Sequence, residues 1–354
     1  MTDQIDWESL QTQIEGKKAI ALPDIFLDHL VFTDRDHNEL FNSIMEVLQG
    51  KARNIIVKQQ IILGGNAFNA VLTSASLGLN SVFIGSTDRF ISALAKATAP
   101  TKLTCMITEI ETANITTSFE IGEEESKKNV MFSTTQALSS FNPQSIDIDQ
   151  QAALEQADAI MLSNWGMTPK GTELLKQLCG KKKPNQRIFF DPADVYLKKT
   201  ELPELIRILK DVEFLCLNEF EYLALNQEIS KKALTFDWIF SEEISPLQKT
   251  LPKTQIIIHT ANRVYGRFTD KLWTIPTFDI KPQFVTGLGD TFLGGFVTGI
   301  LGGLESQQAA SLGSAVVGYY AVNGERPTLK EAQEFMKQIP LKKLQLSSLE
   351  SSSS

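Results

Sequence analysis

Basic residues are in deficit, cysteines are few and long apolar runs are missing, and each shortage removes a class of function. With 34 Lys and Arg against 42 Asp and Glu, the net charge is −8. A clustered basic face for phosphate backbones is therefore not expected, nor is a nucleic-acid partner. The lysine run at residues 181–183 reads as a solvated loop. Cys105, Cys179 and Cys216 are too few and too scattered for a disulfide framework or a zinc site. Cys105 and Cys216 lie in apolar strands and are expected to be buried thiols. No stretch approaches the ~18 apolar residues of a bilayer span. The opening MTDQIDWESLQTQIEGKK has no apolar export core. No membrane partner is expected, and the expected compartment is the cytoplasm. A Gly-x-Gly-x-x-Gly turn is missing as well, because the strand at residues 19–22 runs into Pro23 and Asp24. That argues against a nicotinamide-dependent oxidoreductase.

What is present points to an α/β chain. The 354 residues are 42% hydrophobic and 21% charged, a globular composition. Short β-rich runs alternate with helix-period segments, the pattern of a doubly wound, mostly parallel sheet flanked by helices. Central strands are expected at residues 19–22, 81–84, 159–162, 187–191, 214–217 and 255–259. Helices are expected at 66–77, 170–178, 201–209, 291–301 and 307–321. Residues 55–63 and 104–121 alternate only partially and are expected to pair in a small separate sheet. HNELFNSIMEVLQG, residues 37–50, reads as an amphipathic helix without an assigned role. The Ser-rich C-terminus is expected to be disordered.

The most informative segment is TGLGDTFLGGF, residues 286–296. Gly287 and Gly289 permit backbone angles at which consecutive N–H groups converge on one anion. The apolar spacing Phe292, Phe296, Ile300 puts those groups at a helix N-terminus. Asp290 then falls in the first turn, where the macrodipole is expected to lower its pKa. A carboxylate beside an anion pocket has a use if it accepts a proton from an alcohol attacking the bound phosphoryl group. The plain alternative is a Gly-rich turn with an Asp cap.

Two further segments add weight. In GGNAFNAVLTSASLG, Gly64 and Gly65 let backbone approach a ligand closely, and Asn66 and Asn69 lie one helical turn apart. Amides that both donate and accept suit sugar hydroxyls, although an N-cap Asn and a solvent-facing Asn explain the same residues. In LCLNEFEYLAL, Asn218 and Glu221 are spaced to face one way. Such a pair can organise the water shell of Mg2+, which takes few protein ligands, or simply cap a helix.

In this order and at these separations, the Gly-Gly with downstream Asn, the Asn-x-x-Glu and the Gly-x-Gly-Asp resemble the ribokinase (PfkB-type) family of carbohydrate kinases, over roughly residues 18–340. The resemblance implies a ribokinase-like α/β domain over residues 15–342, with segments 26–63 and 104–133 forming a small β lid that is often a dimer surface, and a tail at 343–354. It implies that Asp290 is the catalytic base and that the amides of Gly287, Leu288 and Gly289 form the anion hole. Asp28, Gly64, Gly65, Asn66 and Asn69 become the substrate side. Asn218, Glu221, Thr260 and Thr286 become the nucleotide side, with Asn218 and Glu221 holding Mg2+ through water. The implied reaction is transfer of the γ-phosphoryl group of ATP, with Mg2+, to a hydroxyl of a sugar or sugar-like molecule. The alternatives are a nucleoside kinase, whose base would stack on an aromatic pair drawn from Phe68, Phe119 and Trp165, and a non-catalytic sugar or nucleotide binder. Where the family usually has Asp-Thr-Thr this chain reads Phe284, Val285, Thr286, so potassium activation is not expected, and Leu288 stands where the family has a small Ala.

Overall fold

The computed structural model describes residues 5–122, 128–235, 244–268 and 271–343. The tail expected to be disordered lies outside them from residue 344 onward. In chain order the strands are β1 Lys18–Leu22, β2 Phe26–Thr33, β3 Lys58–Gly64, β4 Asn80–Thr87, β5 Leu103–Glu109, β6 Asn114–Ile121 and β7 Lys128–Thr135. They continue as β8 Ala159–Ser163, β9 Arg187–Asp191, β10 Phe214–Leu217, β11 Gln255–His259, β12 Arg263–Phe268 and β13 Lys271–Pro276. A large sheet runs β13-β12-β11-β10-β9-β8-β1-β4-β5. It is parallel from β11 to β5, with β12 and β13 added antiparallel at one edge. A second sheet, β3-β2-β6-β7, stands apart from it and is the lid. No helix among the described residues is long and apolar enough to cross a membrane.

Both faces of the large sheet are buried because side chains alternate along each strand and apolar residues occupy both parities. Ala19, Ala21, Phe189, Phe214 and Cys216 pack against one set of helices. Ile20, Leu22, Ile188, Phe190 and Leu215 pack against the other. The helix Leu288–Leu301 is buried along nearly its whole length. Its Phe296 meets Phe189 edge-on at 6.1 Å and Phe214 at 5.5 Å, while those two rings stack at 4.6 Å. This aromatic plug holds the helix, and with it Asp290, against the sheet. Removing a buried ring of this kind costs about 3–5 kcal/mol.

Several expectations shift. Residues 104–109 join the large sheet as β5, paired in parallel with β4, so the lid is built from β2, β3, β6 and β7. The half-buried edge position of β5 explains its partial alternation. Cys105 is half-buried, whereas Cys216 in the central β10 is buried. The lysine run is tied down at its centre: Lys182 Nζ bonds the Asp211 carbonyl at 3.0 Å and pairs with Glu213. The helix His37–Leu48 forms with an Asp36–Glu39 capping box and buries none of its side chains.

Candidate functional site

The motif residues lie at the C-terminal ends of the parallel strands, where ligands sit in doubly wound sheets. There all of them but Gly64, which packs behind the Asp28 carboxylate, line a cavity of about 400 Å³ roofed by the lid. Gly287 adopts φ 75°, a left-handed conformation natural to glycine, and the helix Leu288–Leu301 starts from it with no side-chain cap. The first N–H groups of that helix have no intrahelical partners and face the cavity beside Thr286, Gly287 and Gly289. The chain therefore builds an uncapped, positively polarised helix end with a carboxylate, Asp290, in its first turn.

Asn69, more than two hundred residues earlier in the chain, donates from Nδ2 to Asp290 Oδ2 at 3.2 Å. Asp290 is 8% exposed, and its pKa is pushed up to about 8, first by burial and then by the charges of Asp191 and Asp24. This reverses the expectation that the macrodipole would depress it. In a site this acidic, lost hydration and like charges outweigh a helix end.

Asp28 comes from the lid strand β2. Gly64 on β3 leaves no room for anything but hydrogen at its Cα, since a Cβ there would lie 1.8 Å from Asp28 Oδ2. Across the lid, Asp28 pairs with Thr116 and Thr116 with Ser133. Thr116 hydrogen-bonds Asp28, and the Thr116 and Ser133 hydroxyls lie 3.0 Å apart. The next row, Leu30, Ser118 and Met131, also lines the cavity. Burial, then the nearby Asp24, pushes the Asp28 carboxyl up to about 7.

Asp24, ahead of β2, caps the helix Asn66–Ser76. It accepts from the Asn66 N–H at 2.7 Å, the Ala67 N–H at 2.9 Å and Asn164 Nδ2 at 3.0 Å. Gly65, Asn66 and Asn69 line the cavity. Asn218 and Glu221 reach the same cavity as a capping box, with Asn218 Nδ2 donating to Glu221 Oε1 at 2.7 Å. Glu221 is pushed well above the usual carboxylate range by burial and by Asp191. Among the described residues no three acidic, His or Cys side chains form a direct metal cage. Asn218 and Glu221 put an amide and a carboxylate on the cavity wall, donor types that suit a hydrated Mg2+ contacted through its waters.

Thr260 does not reach this cavity. It lines a second one of about 320 Å³, walled by apolar residues including Ala261, Phe278, Ile280, Val317 and Ala321. Its hydroxyl bonds the Arg263 backbone and closes the β11–β12 turn. His259, Asn218, Leu288 and Gly289 border both cavities. Sequence reasoning did not assign Asp191, Asp194, Asn164, Thr116, Ser133 or His259, all of which line the polar cavity. Asp191 carried a signal, since it ends the strand β9 in DPADVY. The lid hydroxyls carried none, because alternation marks a face without saying what it faces. The proposed stacking aromatics are elsewhere. Phe68 and Trp165 are fully buried, and Phe119 packs on Phe132 at 6.0 Å.

A profile of the pfkB family carbohydrate kinases matches residues 39–319. No curated protein matches the chain in sequence. Among solved structures, ribokinase from Thermotoga maritima superposes with a TM-score of 0.69 at 18% identity, covering 90% of this chain and 98% of that one. The nucleoside kinase of Methanocaldococcus jannaschii, an archaeal member of the ribokinase family, gives 0.65 at 15%, covering 91% and 98%. Ribokinase of Arabidopsis thaliana, complexed with ribose and ATP, gives 0.67 at 15%, also covering 91% and 98%. At these identities the likeness is one of fold.

Proposed function

Since the chain belongs to the pfkB family of carbohydrate kinases, we propose that it transfers the γ-phosphoryl group of ATP to a hydroxyl of a sugar or sugar-like polyol. The observation that carries the reading is the pairing of Asp290 with Asn69 at an uncapped helix N-terminus, across one cavity from Asp28. In this reading Asp28, Asn66 and the lid hydroxyls Thr116 and Ser133 orient the acceptor. Asp290 takes the proton of the attacking hydroxyl as the hydroxyl oxygen bonds the γ-phosphorus and the bond to the β–γ bridging oxygen breaks, releasing ADP. The amides of Gly287, Leu288 and Gly289 offset charge on the phosphoryl oxygens. Mg2+, when bound through water at Asn218 and Glu221, supplies charge neutralisation for the nucleotide phosphates. The apolar cavity between Phe278 and Val317 suits a nucleobase, in keeping with the ATP bound by the Arabidopsis relative.

The acceptor cavity favours a sugar over a nucleoside. Its walls place hydroxyls, amides and carboxylates beside apolar side chains such as Leu30, Met131 and Val285, and among the described residues its one aromatic side chain besides His259 is Phe26, which leaves no described pair of rings to sandwich a base. A role as a binder without catalysis has less support because Asp290 keeps both its anion pocket and its Asn69 donor. The lid exposes Ile61 and Phe132, which suits a homodimer through that face, and a MgATP-dependent reaction suits the cytoplasm. Incubation with MgATP and a panel of sugars and nucleosides tests the proposal. ADP release with a sugar and not with nucleosides is expected, and binding without ADP from any acceptor would reject the kinase reading.

A further inference from the structure

Arg326 lies beyond the helix Ser306–Asn323, and no motif singled it out. The helix ends at Gly324, against which Phe284 packs. The Phe284 N–H donates to the Ala321 carbonyl at 3.0 Å, so the segment entering the anion pocket and the segment carrying Arg326 are clamped together. From there Arg326 reaches inward. Its Nη2 donates to Asn69 Oδ1 at 2.7 Å and its Nε to Thr73 Oγ1 at 3.1 Å, with the guanidinium 5.3 Å from the Tyr320 ring centre. Asn69 in turn donates to Asp290.

We propose that Arg326 is the positioning residue of the catalytic base: held by its Nε on Thr73, its Nη2 fixes the Asn69 amide so that the NH2 end faces Asp290. The logic is one of donor inventory. A guanidinium has five N–H donors and no acceptor, so the Asn69 oxygen must face it and the Asn69 nitrogen must face the carboxylate. A free amide would flip at little cost. The same arrangement brings a positive charge, one side chain removed, to a carboxylate surrounded by negative ones. The groups that bear on Asp290 are Asp24 ahead of β2, Asp191 at the end of β9 and Glu221 in the helix Glu219–Ser230. Asp28, Asp194 and His259 line the same cavity. The carboxylates oppose ionisation of Asp290, His259 is held neutral by burial, and Arg326 favours ionisation. Arg326 is thus a device for keeping the base able to accept a proton.

This inference rests on the kinase reading for its purpose, but its test does not need turnover. In protein with 13C-labelled aspartate carboxyls, the Asp290 resonance is assigned by its loss in Asp290→Asn, and its titration is followed with and without Arg326. In Arg326→Gln the midpoint is expected to rise by roughly one pH unit. The acid limb of kcat, measured with MgATP and the panel sugar that releases ADP fastest, is expected to move with it, while KM for that sugar changes less than about threefold. In Arg326→Lys the charge stays but the fork is lost, so the midpoint is expected near wild type with kcat reduced about tenfold. An unmoved midpoint in a folded Gln variant overturns the proposal. If the Gln variant does not fold, full kcat in the Lys variant overturns it. Failure of the kinase reading shows separately, as unchanged turnover in Asp290→Asn.

Discussion

Two cavities meet at the C-terminal edge of the large sheet, and they are lined by opposite chemistry. One carries Asp28, Asp191, Asp194, Glu221 and Asp290 with hydroxyls and amides between them, and among the described residues no Lys or Arg lines it. The other is walled by Ala261, Phe278, Ile280, Val317 and Ala321. They share the wall formed by His259, Leu288 and Gly289. The polar cavity raises the pKa of its own carboxylates, storing unfavourable charge that a cationic or hydrogen-bonding ligand relieves. The apolar one offers surface to a flat, weakly polar group and almost nothing to a charge. Such a division suits a reaction in which a nucleotide is held by its base and reacts at its phosphates.

The most forceful way to break this comparison is to disable chemistry in the polar cavity without touching the other. Asp290→Asn is expected to lower kcat by about 10²- to 10⁴-fold with KM for ATP little changed. A smaller loss, or a loss confined to KM, would move the chemistry elsewhere. The same variant carries a stability prediction. The Asp290 carboxyl rises from 3.8 to about 8 on folding, so the folded state binds the extra proton. The stability that this proton contributes is fully present below the unfolded pKa and is lost as pH rises through about 8. Wild-type Tm is therefore expected to fall as pH rises across this window, and Asp290→Asn to fall less, by about 2–4 °C at the alkaline end. Thermal melts at pH 5 and pH 9 check it.

Filling the apolar cavity tests the other half. Val317→Trp places a ring where the nucleobase is proposed to lie and is expected to raise KM for ATP roughly tenfold or more, leaving KM for the sugar and the fold intact. Equal effects on both substrates would mean that the two cavities are not separate binding sites. A somewhat smaller effect is expected from Thr116→Val, which takes a hydrogen-bond donor from Asp28. That loss is worth about 1–3 kcal/mol where the partner is buried. KM for the sugar should rise about tenfold, and the pH at which sugar binding titrates should move upward from about 7, because the Asp28 anion loses support.

Much of this division was legible in the sequence, and the illegible parts share a cause. The strand runs at 187–191, 214–217 and 255–259 carried their own boundaries, because fully buried parallel strands read as continuous apolar runs. The convergence of Asn69, Glu221 and Asp290 on one cavity followed from motif order. What periodicity could not reveal was partnership across the chain. Asp24 caps a helix 42 residues away, and Arg326 grips Asn69 from 257 residues away. The sign of the Asp290 shift was missed for the same reason, since the helix end was visible locally while Asp191 and Asp24 come from distant strand ends. Residues 104–109 were placed in the lid because composition separates strand from helix but does not choose between two sheets.

The wall between the cavities gives the smallest and most discriminating effect. His259 Nε2 is buried without a hydrogen-bond partner among the described residues. The ring lies 5.3 Å from that of Phe292, and its Cε1 sits 3.3 Å from where a Cβ of Gly289 would be. Burial pulls its pKa down to about 4, so at neutral pH it offers one N–H and one lone pair, not a charge. An orphaned buried nitrogen costs roughly 1–3 kcal/mol unless a ligand completes it. If the nucleotide does so, His259→Phe removes that completion while sparing the empty protein its orphan. KM for ATP should then rise about threefold to tenfold while Tm without nucleotide stays level or increases, and nucleotide should raise Tm less than it does in wild type. If KM for the sugar changes instead, the histidine belongs to the polar cavity, and the boundary between donor and acceptor must be redrawn on the far side of Gly289.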